Sequence, residues 1–505
     1  MSHAEPGSAM VTGTGIAARG ATIGALQDAM TAGTLTSATL TSFYLSRIEE
    51  LNPRLRAVIS VAPEAAAGQA GASDQVRAGG AARGPLEGIP ILIKDNIGTA
   101  ELPATAGSPA LLEAGRADAF LVRALRAAGA VILGKANLSE WANFRSTSST
   151  SGWSTLGGQA VNPWGEGRNP SGSSSGSAVA VAAGMAPAAI GTETDGSIIS
   201  PSNSCGLVGV KPTLGLVSRS GIVPVTLAQD TAGPMTSCVT DAAVLLAALA
   251  GPDPDDPATS AGPARPADYA ARLSPGALAG ARVGIWRGGA KSANAITAAV
   301  LDEAVTLLRS LGAEVADPVE LPGAGQIEGP EMTAMLHEFK RDLNAYLAAL
   351  PGSHPASLKE LISFNQQNAS RVLAHFGQEI FERAEATSGD PDDPGYLAAR
   401  SEAARLARGA LDDALGRHQL DAVLTLSGSP AWLTDHVLGD HYSFGTTSPA
   451  AVAGYPSVCV PAALVRGLPV GVSFTGPRWS EQALLGFAFA FEQARPALRA
   501  PAAQR

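Results

Sequence analysis

Three residues lie in local settings that suit acid–base and nucleophilic chemistry. Ser197 closes the turn GTETDGS, where glycine leaves a hydroxyl and the neighbouring amides open to a ligand. Ser173 lies in the preceding loop of glycine and serine, GRNPSGSSSGS. Lys94 follows the apolar residues IPILI, and burial of this kind can lower the pKa of an amine from about 10.4 towards neutrality. The sequence therefore offers two hydroxyls, free amides and a candidate general base.

The elements that must position these residues predict an α/β sandwich. Apolar runs predict strands within residues 57–61, 84–94, 130–134, 187–190, 208–212, 281–286 and 421–426, with two more around the Gly-Tyr-Pro turn of 450–474. Helical periodicity and end signals predict helices at 36–51, 118–128, 137–144, 241–250, 292–311, 328–350, 357–383, 396–415 and 480–494. Because ligands gather at the carboxyl ends of strands in open α/β sheets, Lys94 lies where a reacting group would lie.

Composition shifts divide the chain into four parts. Residues 1–20 are small, polar and glycine-rich, and we expect them to be disordered. Residues 21–250 form the first part of the α/β core, and a loop rich in proline and aspartate follows. Residues 251–420 are predicted to be mainly helical, and residues 421–505 return to the same core.

Charge and cysteine content exclude several classes of function. The chain has 505 residues, of which 45% are hydrophobic, and a net charge of −10 without a lysine or arginine run, so we expect no nucleic-acid partner. Its three cysteines are far apart and its seven histidines are scattered, which predicts no disulfide framework and no metal site. No run of 18 apolar residues occurs, so we expect no membrane span. The N-terminus lacks a signal-peptide pattern, which favours a cytoplasmic protein and leaves a processed secreted or periplasmic form open.

A rival nucleophile lies in the same serine loop. Gly172 to Gly176 reads GSSSG, a formal match to the GxSxG nucleophile elbow with Ser174 at its centre. That elbow must directly follow a strand and needs a histidine and an acid, whereas Asn169 and Pro170 indicate a turn here. No histidine has a sequence context that marks it as the partner. A histidine-dependent hydrolase is therefore the weaker hypothesis.

Other residues near these motifs have two interpretations each. Trp141, Trp153 and Trp164 fall between Lys94 and the serine loop, where they could line a substrate pocket or belong to the core. Asp230, in QDTAGPM, is predicted to cap a turn rather than to act as an acid catalyst.

Four segments closely resemble the amidase signature enzymes. They are GIPILIKDN at 88–96, GKANLSEWA at 134–142, SGSSSGSAVAVAAG at 171–184 and GTETDGS at 191–197. The resemblance covers roughly residues 25–250 and 420–495, whereas the central helical part is the region that varies in this family and shapes the substrate pocket. It implies the amidase signature fold, in which helices cover both faces of a large, mixed, twisted sheet in one compact domain with a helical insertion.

The resemblance also implies a Ser-cis-Ser-Lys triad that needs no metal or organic cofactor. Ser197 matches the nucleophile, Ser173 the bridging serine and Lys94 the base. The backbone amides of Thr194, Asp195, Gly196 and Ser197 would form the oxyanion hole. Ser174 matches a second serine that supports the lysine in this family.

Within the family the motifs are most similar to those of bacterial peptide amidases, which remove the C-terminal amide of peptides. The arginine that often follows the nucleophile is replaced by Ile199 and Ser200, which argues against a substrate that carries a carboxylate. The implied activity is hydrolysis of peptide amides or related carboxamides, with release of ammonia through an acyl-enzyme, by a monomer or homodimer. A broad-specificity aliphatic or aryl amidase, a non-catalytic binding protein and an amidotransferase A-type subunit remain as alternatives.

Overall fold

An eleven-stranded mixed sheet forms the centre of the molecule. The computed structural model describes residues 21–495 and 498, and the backbone of two short strands, β1 (Val11–Thr12) and β2 (Gly15–Ile16), which pair with each other. The remaining residues of 1–20, which we expect to be disordered, lie outside this description. The other strands are β3 (Val58–Val61), β4 (Pro90–Lys94), β5 (Val131–Ala136), β6 (Trp153–Ser154), β7 (Gly158–Gln159), β8 (Ala188–Glu193), β9 (Val208–Lys211), β10 (Thr231–Thr236), β11 (Arg282–Ile285), β12 (Glu314–Ala316), β13 (Ala422–Leu426), β14 (Ser457–Val465) and β15 (Leu468–Thr475).

The order of strands brings the candidate site residues to one part of the sheet. The eleven strands run in the order β12-β11-β13-β15-β14-β9-β10-β8-β4-β5-β3, and β6 pairs only with β7. β4 is parallel to both neighbours, β5 and β8, and Ile93 of β4 is in register with Ile190 of β8. Lys94 and the residues that follow Ile190 therefore emerge at the same edge of the sheet.

Helices pack around this sheet, as the sequence predicts for the amidase signature fold. Those of the described residues are α1 (Ile23–Thr31), α2 (Ser37–Leu55), α3 (Pro63–Ala78), α4 (Phe120–Ala127), α5 (Ser175–Ala182), α6 (Ile199–Cys205), α7 (Val239–Leu249), α8 (Ala295–Ser310), α9 (Glu328–Ala349), α10 (Leu358–Gln367), α11 (Ala369–Val372), α12 (Glu379–Glu385), α13 (Pro394–Arg417), α14 (Ser448–Ala453) and α15 (Glu481–Ala494). Within the described part of the chain, no helix combines the length and apolar character required to cross a bilayer.

Three hydrophobic cores attach the helices to the sheet, and one of them packs α13 against β13. The largest core surrounds the sheet and includes the buried strand β4 and the alanine-rich helix α5. A smaller core joins α9, α10 and α12 to the segment 104–144, through residues such as Phe339, Phe381 and Trp141. The segment 251–420 also contributes β11 and β12 to the main sheet, so it is more than a helical cover.

The predicted helix at 137–144 is wrong. Only a short 3-10 turn, Glu140–Asn143, occurs there, and Trp141, Ala142 and Asn143 have positive φ angles of 51°, 55° and 67°. The amide of Ser139 donates to the carbonyl of Ser173 at 3.0 Å, and that of Trp141 donates to Ala106 at 3.0 Å. These contacts with neighbouring loops replace the hydrogen bonds that a helix would make.

Further differences concern the end of one helix and the number and position of the strands. Helix α2 continues to Leu55 and includes Pro53, whereas the sequence predicts that it ends earlier. Both strands of 450–474 follow the Gly-Tyr-Pro turn instead of flanking it. No strand is predicted at β10, where Pro234 lies in register with Ile190 although proline is rare in central strands. β12 also has no counterpart among the predicted strands.

Candidate active site

Lys94 ends β4 with its amine in a fully buried position. Its Nζ lies 2.8 Å from Ser173 Oγ, 2.8 Å from Thr192 Oγ1 and 3.2 Å from the Thr192 carbonyl oxygen. Burial lowers the pKa of Lys94 to about 7, against the opposing effect of the negative charges of Asp230 and Glu193. Near neutral pH a large share of the amine is therefore uncharged and able to accept a proton.

Thr192 lies within the GTETDGS segment, but the sequence alone does not single it out as a site residue. Its carbonyl and hydroxyl oxygens can accept the two N–H bonds of a neutral amine, which leaves the nitrogen lone pair for the hydroxyl of Ser173. Asn96 donates from Nδ2 to the same threonine hydroxyl at 3.0 Å. The available signal is the register of the strands, since Thr192 lies in β8 beside Lys94, but register cannot be read from one segment alone.

Ser174 is held against β8 and not against the lysine. Its hydroxyl donates to the carbonyl of Thr192 at 2.9 Å and accepts from the amide of Thr192 at 3.1 Å. Because Ser174 is fully buried, its side chain is not presented to a substrate. It fixes the threonine that contacts Lys94, so its support of the lysine is indirect.

Two loops place Ser173 and Ser197 next to each other. The peptide between Gly172 and Ser173 is cis, and the amide of Ser174 donates to the carbonyl of Ser197 at 3.1 Å. A Cβ at Gly172 would lie 2.2 Å from Ser139 Oγ, so only glycine fits this position. Ser173 is 1% exposed, whereas Ser197 is 8% exposed and lines a cavity. The structure thus places Lys94 against the hydroxyl of Ser173, and the backbone of the next residue, Ser174, against Ser197.

The loop before α6 presents free amides to the cavity. Among the described residues none accepts a hydrogen bond from the amides of Asp195, Gly196 or Ser197. The next two amides, of Ile198 and Ile199, donate to Glu193 Oε2 at 2.7 and 2.9 Å. The first three are therefore available to an oxyanion, the position in which such donors act most strongly.

Side chains around this loop fix its course. Asp195 accepts hydrogen bonds of 2.6 Å from the hydroxyls of both Thr447 and Ser448. Gly196 has φ of +79°, and a Cβ there would meet Thr447 Oγ1 at 3.0 Å. Thr194 donates from Oγ1 to Asp230 at 2.6 Å. The loop is thereby anchored on both sides.

Asp230 caps a turn, in agreement with its predicted role. Its Oδ2 accepts from the amides of Val225 and Thr226 at 2.8 and 3.0 Å. Burial raises the pKa of Asp230 to about 6, against the lowering effect of the Thr194 hydrogen bond. Near pH 7 it is a carboxylate, and its charge acts on Lys94.

A cavity of about 490 Å³ opens above Ser197. Its floor is formed by Ser171, Gly172 and the loop that ends at Ser197, and α6 contributes Ser200, Asn203 and Ser204. Its wall comes mainly from the start of α9 and from the segment 428–448, and Ala142, Asn143 and Ser151 complete the lining. Among the described lining residues there are four carboxylates and no lysine, arginine or histidine: Asp195, Glu328, Glu331 and Asp440.

The aromatic residues that line the cavity are not the three tryptophans that precede the serine loop. Trp141 packs against Phe381 in the smaller core, Trp153 packs against Phe376, and Trp164 donates to the carbonyl of Cys205 at 2.7 Å. The aromatic residues that line the cavity are Trp432, Tyr442 and Phe444. The pocket role considered for the three earlier tryptophans is therefore wrong, and they are structural.

The described residues do not form the arrangement that a histidine-dependent hydrolase requires. No described histidine lines the cavity, and the hydroxyl of Ser174 is engaged by Thr192. His375 and His436 stack on each other at a ring distance of 4.3 Å, in contact with Trp153 through His375. In the described part of the chain, no three side chains of histidine, cysteine, aspartate or glutamate gather as metal ligands.

Comparison with known proteins places the chain in a family. The sequence profile of the amidase family matches residues 39–485. A probable amidase from Arabidopsis thaliana is 41% identical over 486 residues, which are 94% of this chain and 90% of that protein. The A-type subunit of the glutamyl-tRNA(Gln) amidotransferase from Roseiflexus castenholzii is 35% identical over 489 residues, which are 94% of this chain and 95% of that protein.

Solved structures extend the comparison to the fold. The native peptide amidase from Stenotrophomonas maltophilia is 49% identical, with a TM-score of 0.90 over 95% of this chain and 98% of that chain. A structure of the peptide amidase PAM with the competitive inhibitor chymostatin has a TM-score of 0.91 at the same identity and coverage. The chain therefore belongs to the amidase signature family and is an amide-hydrolysing enzyme.

Proposed function

We propose that this enzyme hydrolyses the C-terminal amide of peptides, or a related carboxamide, and releases ammonia. The observation that carries the proposal is the arrangement of Lys94, Ser173 and Ser197 at the base of the cavity. There the buried amine of Lys94 lies 2.8 Å from the hydroxyl of Ser173, and the hydroxyl of Ser197 lies at the cavity beside free amides. In this arrangement Ser197 is the nucleophile, Ser173 the bridge and Lys94 the base.

The reaction begins with attack of Ser197 Oγ on the amide carbonyl carbon. As the C–O bond forms, Ser197 gives its proton to Ser173 Oγ, which passes its own proton to the neutral amine of Lys94. The amides of the loop 195–197 stabilise the tetrahedral oxyanion, and each such donor is typically worth about 2.7–4 kcal/mol. The ammonium of Lys94 then returns a proton through Ser173 to the amide nitrogen, the C–N bond breaks and ammonia leaves. Water, deprotonated by the same pair, hydrolyses the acyl-enzyme.

The cavity lining supports a substrate without a carboxylate at the reacting end. Four carboxylates and no described basic side chain line it, so a carboxylate ligand would meet repulsion without an arginine to offset it. A peptide amide carries no charge at its C-terminus. The similarity to the peptide amidases, at 49% identity, points to the same class.

The direct test is ammonia release from a panel of amides by the wild type and by three variants. Ser197→Ala, Lys94→Ala and Ser173→Ala should each remain folded and lose about 10³- to 10⁶-fold in kcat/KM, the scale seen when members of a catalytic unit are removed. The panel contains a peptide amide, glutamine, a fatty amide and an aryl amide. We expect the peptide amide to be the preferred substrate.

Different outcomes of this test lead to different conclusions. Near-native turnover by Ser197→Ala would remove the assigned nucleophile. A preference for glutamine would favour the activity after which the amidotransferase relatives are named. Equal rates on all four amides would favour a broad-specificity amidase.

A further inference from the structure

The cavity wall formed by α9 carries a carboxylate that the reaction does not use. Glu331, on the first turn of α9, lines the cavity and is 4% exposed. Its Oε1 accepts a hydrogen bond of 2.8 Å from Gln229 Nε2. Glu328 lies three residues earlier on the same helix and also lines the cavity, since residues at this spacing share a helix face.

A polar network fixes the orientation of Glu331. Arg400 donates from Nη1 to Gln229 Oε1 at 2.6 Å, so the amide nitrogen of Gln229 must face the other way, towards Glu331. The charge of Arg400 is in turn paired with Glu338, which accepts from Arg400 Nε at 2.7 Å. Arg400 lowers the pKa of Glu331 only in part, because its charge is shared with Glu338, and burial still raises that pKa to about 8.

Acidic groups that repel one another lie where this wall meets the catalytic loop. Burial, and then the charges of Asp195 and Glu328, raise the pKa of Glu331, which shows that these acidic groups lie close enough to repel one another. Asp195 is itself buried and its pKa is raised for the same first reason. A cation placed among the three groups would relieve the repulsion and favour the ionised carboxylate of Glu331.

A second observation points to a polar ligand in the same cavity. The hydroxyl of Ser429 is buried, with the residue 5% exposed, and has no hydrogen-bond partner among the described residues. Ser429 lines the cavity together with Glu331. A buried hydroxyl without a partner is costly, and a substrate that brings polar groups to this wall would supply the missing partner.

We propose that Glu331, with Glu328 and Asp195, forms a subsite for a primary ammonium group of the substrate. The enzyme then selects amides that carry a free amine, either the N-terminus of a short peptide amide or the side chain of a lysine within it. This inference rests on the proposed peptide amidase reaction, because the ammonium must belong to a molecule whose amide reaches Ser197.

The test compares three substrates of one scaffold: alanyl-phenylalanine amide, its N-acetyl form, and N-acetyl-lysyl-phenylalanine amide. We expect the wild type to prefer the two amines over the acetylated alanyl peptide by about tenfold or more in kcat/KM, the range of charge-assisted hydrogen bonds. Glu331→Gln should remove most of this preference, so that the ratio of kcat/KM values falls about tenfold, by the same argument. A preference confined to one of the two amines would identify the N-terminus or the lysine side chain as the source.

Two further variants make the result specific. Glu303→Gln removes the same charge from an exposed position on α8 and should leave the preference unchanged. Glu328→Gln, at an exposed position of the wall, should reduce the preference less than Glu331→Gln and covers the case in which Glu331→Gln does not fold. The subsite is overturned if the wild type treats amine and acetyl substrates alike. It is also overturned if Glu331→Gln slows all three substrates equally.

A binding measurement separates this proposal from the proposed function. Calorimetry with Ser197→Ala protein should show tighter binding of the free-amine peptide than of the acetylated one, and Glu331→Gln in that background should abolish the difference. Amine-dependent binding without ammonia release by the wild type would overturn the peptide amidase reaction and support the subsite. Ammonia release without amine-dependent binding would do the reverse.

Discussion

The floor of the cavity, taken together with Lys94 and Thr192 beneath it, differs from the wall in burial and in charge. On the floor, Lys94 is fully buried and its amine has three polar neighbours within 3.2 Å. On the wall, Glu328 is exposed, and Glu331 is buried but lines the cavity of about 490 Å³. The floor is buried and its polar groups are hydrogen-bonded, so it can set the pKa of Lys94. The wall is lined by carboxylates and borders the cavity, so it can select a substrate. The comparison indicates that reaction chemistry and selectivity are carried by separate parts of the chain.

The two regions also differ in how their residues are held. The floor is made from a strand end, a cis peptide and a loop of small residues in which Gly172 permits no side chain. The wall is made from α9 and the segment 428–448, which meet the floor through side chains such as Thr447 and Gln229. We therefore expect substitutions on the floor to slow all amides alike and substitutions on the wall to change the ranking of amides.

The largest expected effect in this comparison comes from Thr192→Val on the floor. Valine keeps the shape of threonine but removes the hydroxyl that accepts from Lys94 and Asn96. A buried amine that loses one acceptor forfeits about 1–3 kcal/mol, so kcat/KM should fall about 10- to 100-fold. The fall should be the same for every amide of the panel, measured as ammonia release.

Thr192→Ser is the matched control, since it restores the hydroxyl and should recover most of the activity. Thermal unfolding of both variants checks that the sheet is intact. If Thr192→Val instead changed the ranking of substrates, the separation between floor and wall would be incorrect.

An intermediate effect is expected from Trp432→Ala on the wall. Trp432 packs against Tyr442 at a ring distance of 5.5 Å and donates from Nε1 to Asp440 at 3.2 Å. Loss of its apolar surface should raise KM for a peptide amide about tenfold, since burial of a large apolar side chain contributes about 1.5–3 kcal/mol of transfer free energy. A single amino-acid amide, which fills less of the cavity, should be affected much less.

Trp164→Phe serves as the control for this variant. Trp164 is also a partly buried tryptophan, but it bonds to the carbonyl of Cys205 and is not among the residues that line the cavity. Its substitution should leave the ratio of the two KM values unchanged. Equal losses on large and small amides for Trp432→Ala would show that this residue supports the floor and not the wall.

The sequence predicts the floor far better than the wall. Lys94, Ser173 and Ser197 stand in contiguous motifs whose small residues permit few other structures, and the structure brings Lys94 to Ser173 and the loop of Ser197 beside it. Thr192 is missed because its role depends on the register between β4 and β8. Trp432 and Glu331 are missed because they come from the variable part and the segment after it, where no local motif marks a residue as facing the cavity.

Prediction from local sequence fails where tertiary contacts determine the conformation of the backbone. The strand β10 contains Pro234, which breaks the usual pattern of a central strand, and Gly233, where a Cβ would meet the carbonyl of Val210 at 2.0 Å. The turn Glu140–Asn143 replaces a helix because neighbouring loops accept its amide hydrogens. Both cases lie close to the site, where close approach of backbones is required.

The smallest expected effect concerns the negative charge that Asp230 places near Lys94. Activity requires a neutral Lys94, so kcat/KM should fall as the pH drops below its pKa of about 7. The charge of Asp230 raises that pKa, because a nearby anion favours the protonated amine. With a pKa of about 6, Asp230 is largely ionised where Lys94 titrates. Asp230→Asn removes the charge, so the acid limb of the profile should move to lower pH.

The measurement is kcat/KM for one peptide amide across the acid and neutral range, with each profile normalised to its own plateau. Normalisation is needed because asparagine replaces a carboxylate that accepts hydrogen bonds from Thr194 and two amides, and the plateau can fall for that reason alone. Glu303→Gln, with the same change in net charge at an exposed position, should leave the limb in place. A limb that stays fixed or moves to higher pH in Asp230→Asn would mean that the titrating group is not Lys94. Selectivity among amides should be unaffected, because Asp230 acts on the amine from below the cavity.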